Sequence, residues 1–179
     1  MLIHIKSGKR AETETSDKQM ELSMYQRILV PVDGSETAGK ALTAGLQMAR
    51  DAGGCVHLVH VVEGLSPMAA DPYGAYSGEV IEIMRQSGSK ILEDALMLAQ
   101  AAGVPADTEL FDNFGDRLAE VVADAALRFK ADLLVVGTHG RRGIGRVLMG
   151  SGAEQIIRLS PVPVLVIRAS ETKESVLRS

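Results

Sequence analysis

The chain has 179 residues, 46% of them hydrophobic, and 19 lysines and arginines against 23 aspartates and glutamates give it a formal net charge of -4. That length suits one domain with or without a tail, the composition excludes wholesale disorder, and the acidic balance argues against a general electrostatic grip on nucleic acid. The single cysteine, Cys55, excludes an intramolecular disulfide and a cysteine-built zinc site, which fits a reducing, cytoplasmic setting.

Residues 1–23 are polar from Ser7 onward, lack any period and lack the apolar core of a secretory leader, so they are expected to be a disordered extension. The domain is expected over 24–170 and a flexible tail over 171–179. Arg27 to Val32 is a short continuous apolar run, the pattern of a strand covered on both faces. After the turn residues Asp33, Gly34 and Ser35, helical spacing runs through Ala38, Ala41, Leu42, Gly45, Leu46 and Ala49 and stops at Gly53 and Gly54. Cys55 to Glu63 reads as a second strand, and Glu63 to Gly78, rich in Pro, Gly and Ser, as a long and functional or mobile loop. A long helix is expected over Glu79 to Ala102, a strand over Ala106 to Phe111 and a helix over Gly115 to Lys130. Ala131 to Gly137 is a fourth strand, Ser151 to Leu159 a last helix and Pro161 to Arg168 a last strand. No apolar run approaches the roughly 18 residues of a membrane span.

Strands alternating with helices imply right-handed crossovers and a parallel sheet. The fold class is therefore α/β: a single doubly wound, Rossmann-like, five-stranded sheet of order 3-2-1-4-5 with helices on both faces. Such sheets bind ligands outside the carboxyl ends of their strands, at the point where strand order reverses. In this order that point lies between strands one and four, so the loops after Val32 and Val136 are the ones to inspect.

The loop after strand four carries six glycines between Gly137 and Gly152 and, with them, Arg141, Arg142 and Arg146. Glycines let backbone amides approach a ligand, and a helix opening at Gly150 and Ser151 presents unpaired amides to an anion. That combination suits a phosphate chain. A blander reading is a crossover in which Ser151 is the N-cap and Glu154 completes a capping box. Asp33, at the carboxyl edge of strand one, can accept hydrogen bonds from ribose hydroxyls, or can cap a helix with Glu36. The run Gly34 to Lys40 matches the phosphate-loop pattern GxxxxGK, but Ala41 stands where a magnesium-binding Ser or Thr is required, and the helical stripe runs through it, so it reads as a chance match.

Strand one ending PVDGS, the segments VHVVE and VVGTHG, the spacing G-x2-G-x9-G-S made by Gly137, Gly140, Gly150 and Ser151, and the closing SPVPVLVIR together resemble the universal stress protein family in its ATP-binding branch. The resemblance spans Met24 to Ala169. It implies that Asp33 contacts the ribose, that Pro31 and Val32 approach the adenine or sugar through backbone atoms, and that Val61 lines the adenine pocket. It implies further that Val136 fills the hydrophobic position before the first glycine, that Gly137 lies near the ribose, and that Gly140, Gly150 and Ser151 hold the phosphates. Gly152 departs from the larger residue expected after Gly-Ser, which leaves its amide available and its role open.

His57 and His60 are three positions apart on one strand and so face opposite sides, which defeats a shared metal site. Family members resembling this chain pair their last strands across a two-fold axis, and a homodimer through the C-terminal edge strand is expected. The leading reading is an ATP-binding regulatory protein of the stress-response type, with Mg2+ or Mn2+ arriving on the phosphates, a regulatory protein partner, and slow hydrolysis at most. A slow ATPase or nucleotidyl-transfer enzyme using the same crevice is the alternative, and an interaction module that has lost the nucleotide is a third.

Overall fold

The computed structural model describes residues 25–62, 78–112, 117–138 and 150–168. The expected extension over 1–23, the loop after Val62, most of the glycine loop and the tail lie outside the described residues. The elements in chain order are β1 (Arg27–Pro31), α1 (Glu36–Ala52), β2 (Cys55–Val61), α2 (Gly78–Ala101), β3 (Ala106–Phe111), α3 (Leu118–Phe129), β4 (Leu133–Gly137), α4 (Ser151–Leu159) and β5 (Val164–Ile167). All strand pairs are parallel, in the order β3-β2-β1-β4-β5. This is the expected doubly wound sheet.

The central strands are apolar on both sides because both sides are covered. Ile28, Val30, Leu58, Leu133 and Val135 point to α1 and α2, where they meet Ala41, Leu42, Leu46, Leu92 and Ala99. Leu29, Val59, Leu134 and Val136 point the other way, to Val122, Ala125 and Ala126 of α3 and Ile156 of α4. Ile28, Leu29, Leu58 and Leu134 are fully buried, each contributing roughly 1.5–3 kcal/mol in transfer terms. α1 comes close to the sheet because Gly45 has no side chain: a Cβ there would lie 2.9 Å from Val30 Cγ2.

The ends of the elements correct two local expectations. Ser35, not Asp33, is the N-cap of α1, with its side chain accepting from the Ala38 N–H. Gly150, not Ser151, is the N-cap of α4, and among the described residues no side chain caps that helix. β5 is shorter than the apolar run around it. Pro161 and Pro163 have no N–H to give a ladder, so pairing starts at Val164, with the Pro163 carbonyl accepting from the Leu134 N–H at 2.9 Å.

At the opposite end of the sheet, β1 is tied to the end of α3. Asp132 accepts from the Gln26 and Arg27 N–H groups at 2.8 and 3.0 Å. Arg27 donates to the Phe129 and Lys130 carbonyls and lies 4.2 Å over the Phe129 ring. Backbone groups left over at the start of a strand and the end of a helix thus satisfy each other's needs through two side chains.

Candidate functional site at the reversal of strand order

β1 and β4 are neighbours and leave the sheet in opposite lateral directions, α1 toward one face and α4 toward the other. Their carboxyl ends therefore open a crevice, flanked by β2 on the far side of β1.

β1 contributes Pro31, half-buried and level with Val59 of β2. Val32 is buried; its N–H donates to the Val59 carbonyl at 2.8 Å and its own carbonyl accepts from His60 Nδ1 at 2.6 Å. Asp33 follows, half-buried, and its Oδ1 accepts from the Ser35 N–H at 2.9 Å. That local bond turns the chain into α1 and orients the carboxylate. Val61, two positions beyond Val59, is partly buried against the Leu29 and Val59 side of the core, and Val136 is buried in the same cluster. The two valines thus border the α3 and α4 side of the crevice.

Gly137 ends β4 where the first turn of α1 passes it. A Cβ on Gly137 would lie 2.8 Å from the Thr37 carbonyl carbon and 2.9 Å from its oxygen. Only glycine lets those two backbones meet there. Thr138 then gives its N–H to the Ile167 carbonyl at 2.9 Å, and its carbonyl accepts from the Gly150 N–H at 2.8 Å. The glycine loop therefore leaves from and returns to one clasp. Gly140 lies outside the described residues, as do His139 and the three loop arginines.

The clasp changes what Gly150 can offer, because its N–H is already engaged. The first bond within α4 runs from the Glu154 N–H to the Gly150 carbonyl at 3.0 Å. The amides of Ser151, Gly152 and Ala153 precede it and belong to the helix's positive end, which has no side-chain cap among the described residues. Ser151 is exposed there. The departure at Gly152 has a packing reason: a Cβ would press to 3.1 Å from Leu118 Cδ2, where α4 starts alongside α3.

The structure brings Pro31, Val32, Asp33, Val61, Val136, Gly137, Gly150, Ser151 and Gly152 to the same edge of one sheet. It also adds Ser35, Thr37 and Thr138, which sequence reading left out of the site, and puts His60 behind it, against the Val32 carbonyl. Thr37 and Thr138 are buried polar residues, and their position directly beside the candidate turns was the one clue to them. The GxxxxGK match dissolves: Gly39 and Lys40 lie inside α1, and Lys40 donates to Glu36 at 2.6 Å. The two β2 histidines do face opposite sides. His57 stacks on Phe129 with its Nδ1 2.6 Å from Asp107 and its Nε2 3.1 Å from Glu109, while His60 reaches Val32. Among the described residues no group of three or more His, Cys, Asp or Glu converges to hold a metal ion, and no helix is long and apolar enough to cross a membrane.

The family model described as the universal stress protein family matches residues 24–168. A universal stress protein of Methanocaldococcus jannaschii is 30% identical over 146 residues, 82% of this chain and 84% of that one. The crystal structure of a universal stress protein family member from Burkholderia pseudomallei is 34% identical, covers 82% of this chain and 98% of its own, and superposes with a TM-score of 0.64. A universal stress protein solved in complex with cAMP is 26% identical over 80% of this chain and 97% of its own, with a TM-score of 0.58. With a matching model over the whole sheet and relatives aligned over four-fifths of the chain, the protein belongs to the universal stress protein family.

Proposed function

We propose that this universal stress protein binds an adenine nucleotide, ATP in the first place, in the crevice between β1 and β4, and acts as a cytoplasmic regulatory protein whose nucleotide occupancy alters its contacts with a partner protein. The observation that carries the reading is the start of α4, clasped to the end of β4 beside the strand that leads into Asp33 and without a side-chain cap among the described residues. Phosphates would lie at the Ser151 and Gly152 amides, where the helix dipole and the first-turn N–H groups favour negative charge. The Asp33 carboxylate would accept from the ribose hydroxyls. Pro31, Val32, Val61 and Val136 would border the base and sugar, Gly137 would leave room for the ribose, and Gly140 would add a backbone donor to the phosphates. The cAMP-bound relative supports an adenine nucleotide as the ligand class. Mg2+ or Mn2+ would enter with the phosphates.

Asp33 accepts from the Ser35 amide, and in this reading its carboxylate would accept from the ribose rather than act as a base, so hydrolysis is expected to be slow. The homodimer belongs to the same proposal. The sheet's two edges differ in kind: β3 carries Asp107 and Glu109, charges that discourage strand addition, whereas β5 is Val-Leu-Val-Ile and partly exposed throughout. β5 is the edge suited to pairing.

Ser151→Asp tests the site without threatening the fold. A carboxylate in the first turn of α4 favours the helix dipole, so the melting temperature should hold or rise. The same charge repels phosphates, and calorimetric titration should show Mg-ATP affinity at least tenfold weaker, about 1.4 kcal/mol. Unchanged affinity would remove the phosphates from α4.

A further inference from the structure

His60 is 7% exposed and lies on the α1 and α2 side of the sheet, away from the crevice. Yet its Nδ1 is 2.6 Å from the carbonyl oxygen of Val32, the residue that leads into Asp33. A carbonyl only accepts, so Nδ1 carries the proton and donates. We propose that His60 is a positioning residue for the nucleotide site: seated in a notch at Gly88 of α2, it fixes the Val32–Asp33 peptide from behind. The role rests on the adenine-nucleotide reading above and adds to it a residue that touches no ligand.

The geometry follows from the peptide unit. A trans peptide is planar with its C=O and N–H on opposite sides, so drawing the Val32 carbonyl toward His60 turns the Asp33 N–H away from the α2 side, toward the crevice. The Val32 N–H is already anchored to the Val59 carbonyl at 2.8 Å, and the Asp33 side chain to the Ser35 N–H at 2.9 Å. Three bonds, two from β2 and one from within the turn, thus set the orientation of the turn that presents Asp33. A ligand that meets this turn is spared the entropy of ordering it.

Gly88 supplies the second observation. It stands within the 24-residue helix α2 and is buried. A Cβ there would lie 2.8 Å from His60 Cδ2, 3.3 Å from its Nε2 and 2.8 Å from Leu110 Cδ1. Glycine in a helix interior is unfavourable relative to alanine, and at this position it provides the space the imidazole occupies. α2, β2 and the β1 turn are thereby joined through one ring.

The test uses the full-length chain and Mg-ATP, with melting temperature recorded for every variant. His60→Leu should weaken Mg-ATP binding at least fivefold. His60→Asn, whose side-chain amide stands where Nδ1 does and can donate the same bond, should restore affinity to within twofold of wild type. Gly88→Ala should weaken binding in the wild-type background and have no further effect beside His60→Leu, because both act through one ring. Long-range proton–nitrogen spectra of the wild type should show the Nδ1–H tautomer of His60, a readout that needs no variant and no nucleotide. Binding by a folded His60→Leu equal to wild type, or the Nε2–H tautomer, would overturn the role; so would affinity that merely follows melting temperature without rescue by Asn. A wild-type chain that ignores Mg-ATP would instead overturn the nucleotide reading itself, and this role with it.

Discussion

Gly137 and Asp132 show how much single residues decide in this protein. At Gly137 the neighbour is the Thr37 backbone rather than a flexible side chain, so Gly137→Ala forces two main-chain segments apart and should cost about 1–3 kcal/mol in urea unfolding. It should also weaken Mg-ATP binding, since β4 and the start of α1 frame the crevice. At Asp132 one carboxylate serves the N–H groups of both Gln26 and Arg27. Asp132→Ala should destabilise by about 1–3 kcal/mol, with Asp132→Asn between the two because its amide oxygen can still accept from one of them. Unfolding midpoints that do not move would show that water replaces the carboxylate at no cost. Asp33 and the glycines could be located from the sequence because turn chemistry is local: acid, glycine and small residues immediately follow an apolar run. Asp132 and His60 could not. Their partners are 106 and 28 positions away, and nothing in the spacing of either residue announces a bond that exists only once the sheet has formed.

The ends of the helices, more than their middles, separate what sequence shows from what packing decides. α1 ends as its glycines dictate, with Gly53 left-handed and the Gly54 N–H returning to the Ala49 carbonyl at 2.8 Å. α3 ends on the same conformation without a glycine: Lys130 sits at φ 55°, ψ 47°. Lys130→Gly should therefore stabilise the fold by about 0.5–1 kcal/mol, read as a higher melting temperature; a lower one would mean that the Lys130 side chain contributes more than the strained backbone costs. At the start of α1 the hydrogen bond from Lys40 and its charge hold the Glu36 carboxyl below its ordinary range. A lowered folded-state value means that the contribution is present above the unfolded value and lost as pH falls through the folded one. Glu36→Gln should thus lower stability slightly at neutral pH, leave it unchanged in strong acid and so flatten the acid limb of the stability curve, and an unaltered acid limb would show that the pair contributes nothing. Cap identity was only half legible. Asp33 and Ser35 both suit an N-cap, and the choice of Ser35 follows from Asp33 being drawn into the turn by the Ser35 amide.

At the scale of the whole molecule, the alternation of short apolar runs with helical stripes was enough to give strand order and layers, because right-handed crossovers leave few other arrangements of five parallel strands. The same order places the crevice. What no alternation carries is the clasp between Thr138 and Gly150, which engages the Gly150 N–H, so that in the proposed site the amides that follow it would meet the anion. Assembly should depend on the β5 edge. In β5 the carbonyls of Pro163 and Ile167 face β4, which leaves Val166 turned outward, so Val166→Pro removes an outward N–H while sparing the ladder. Light scattering should give twice the 19.0 kDa chain mass for wild type and the chain mass for the variant; a monomeric wild type would refute pairing at β5. The central claim is nucleotide binding at the β1–β4 crevice, and its most direct measurement is to denature freshly purified, untreated protein, identify any released nucleotide by chromatography and mass spectrometry, and titrate Mg-ATP into the stripped chain. The account predicts an adenine nucleotide, ATP foremost, near one per chain, and saturable rebinding; a chain that releases none and ignores added Mg-ATP would contradict it.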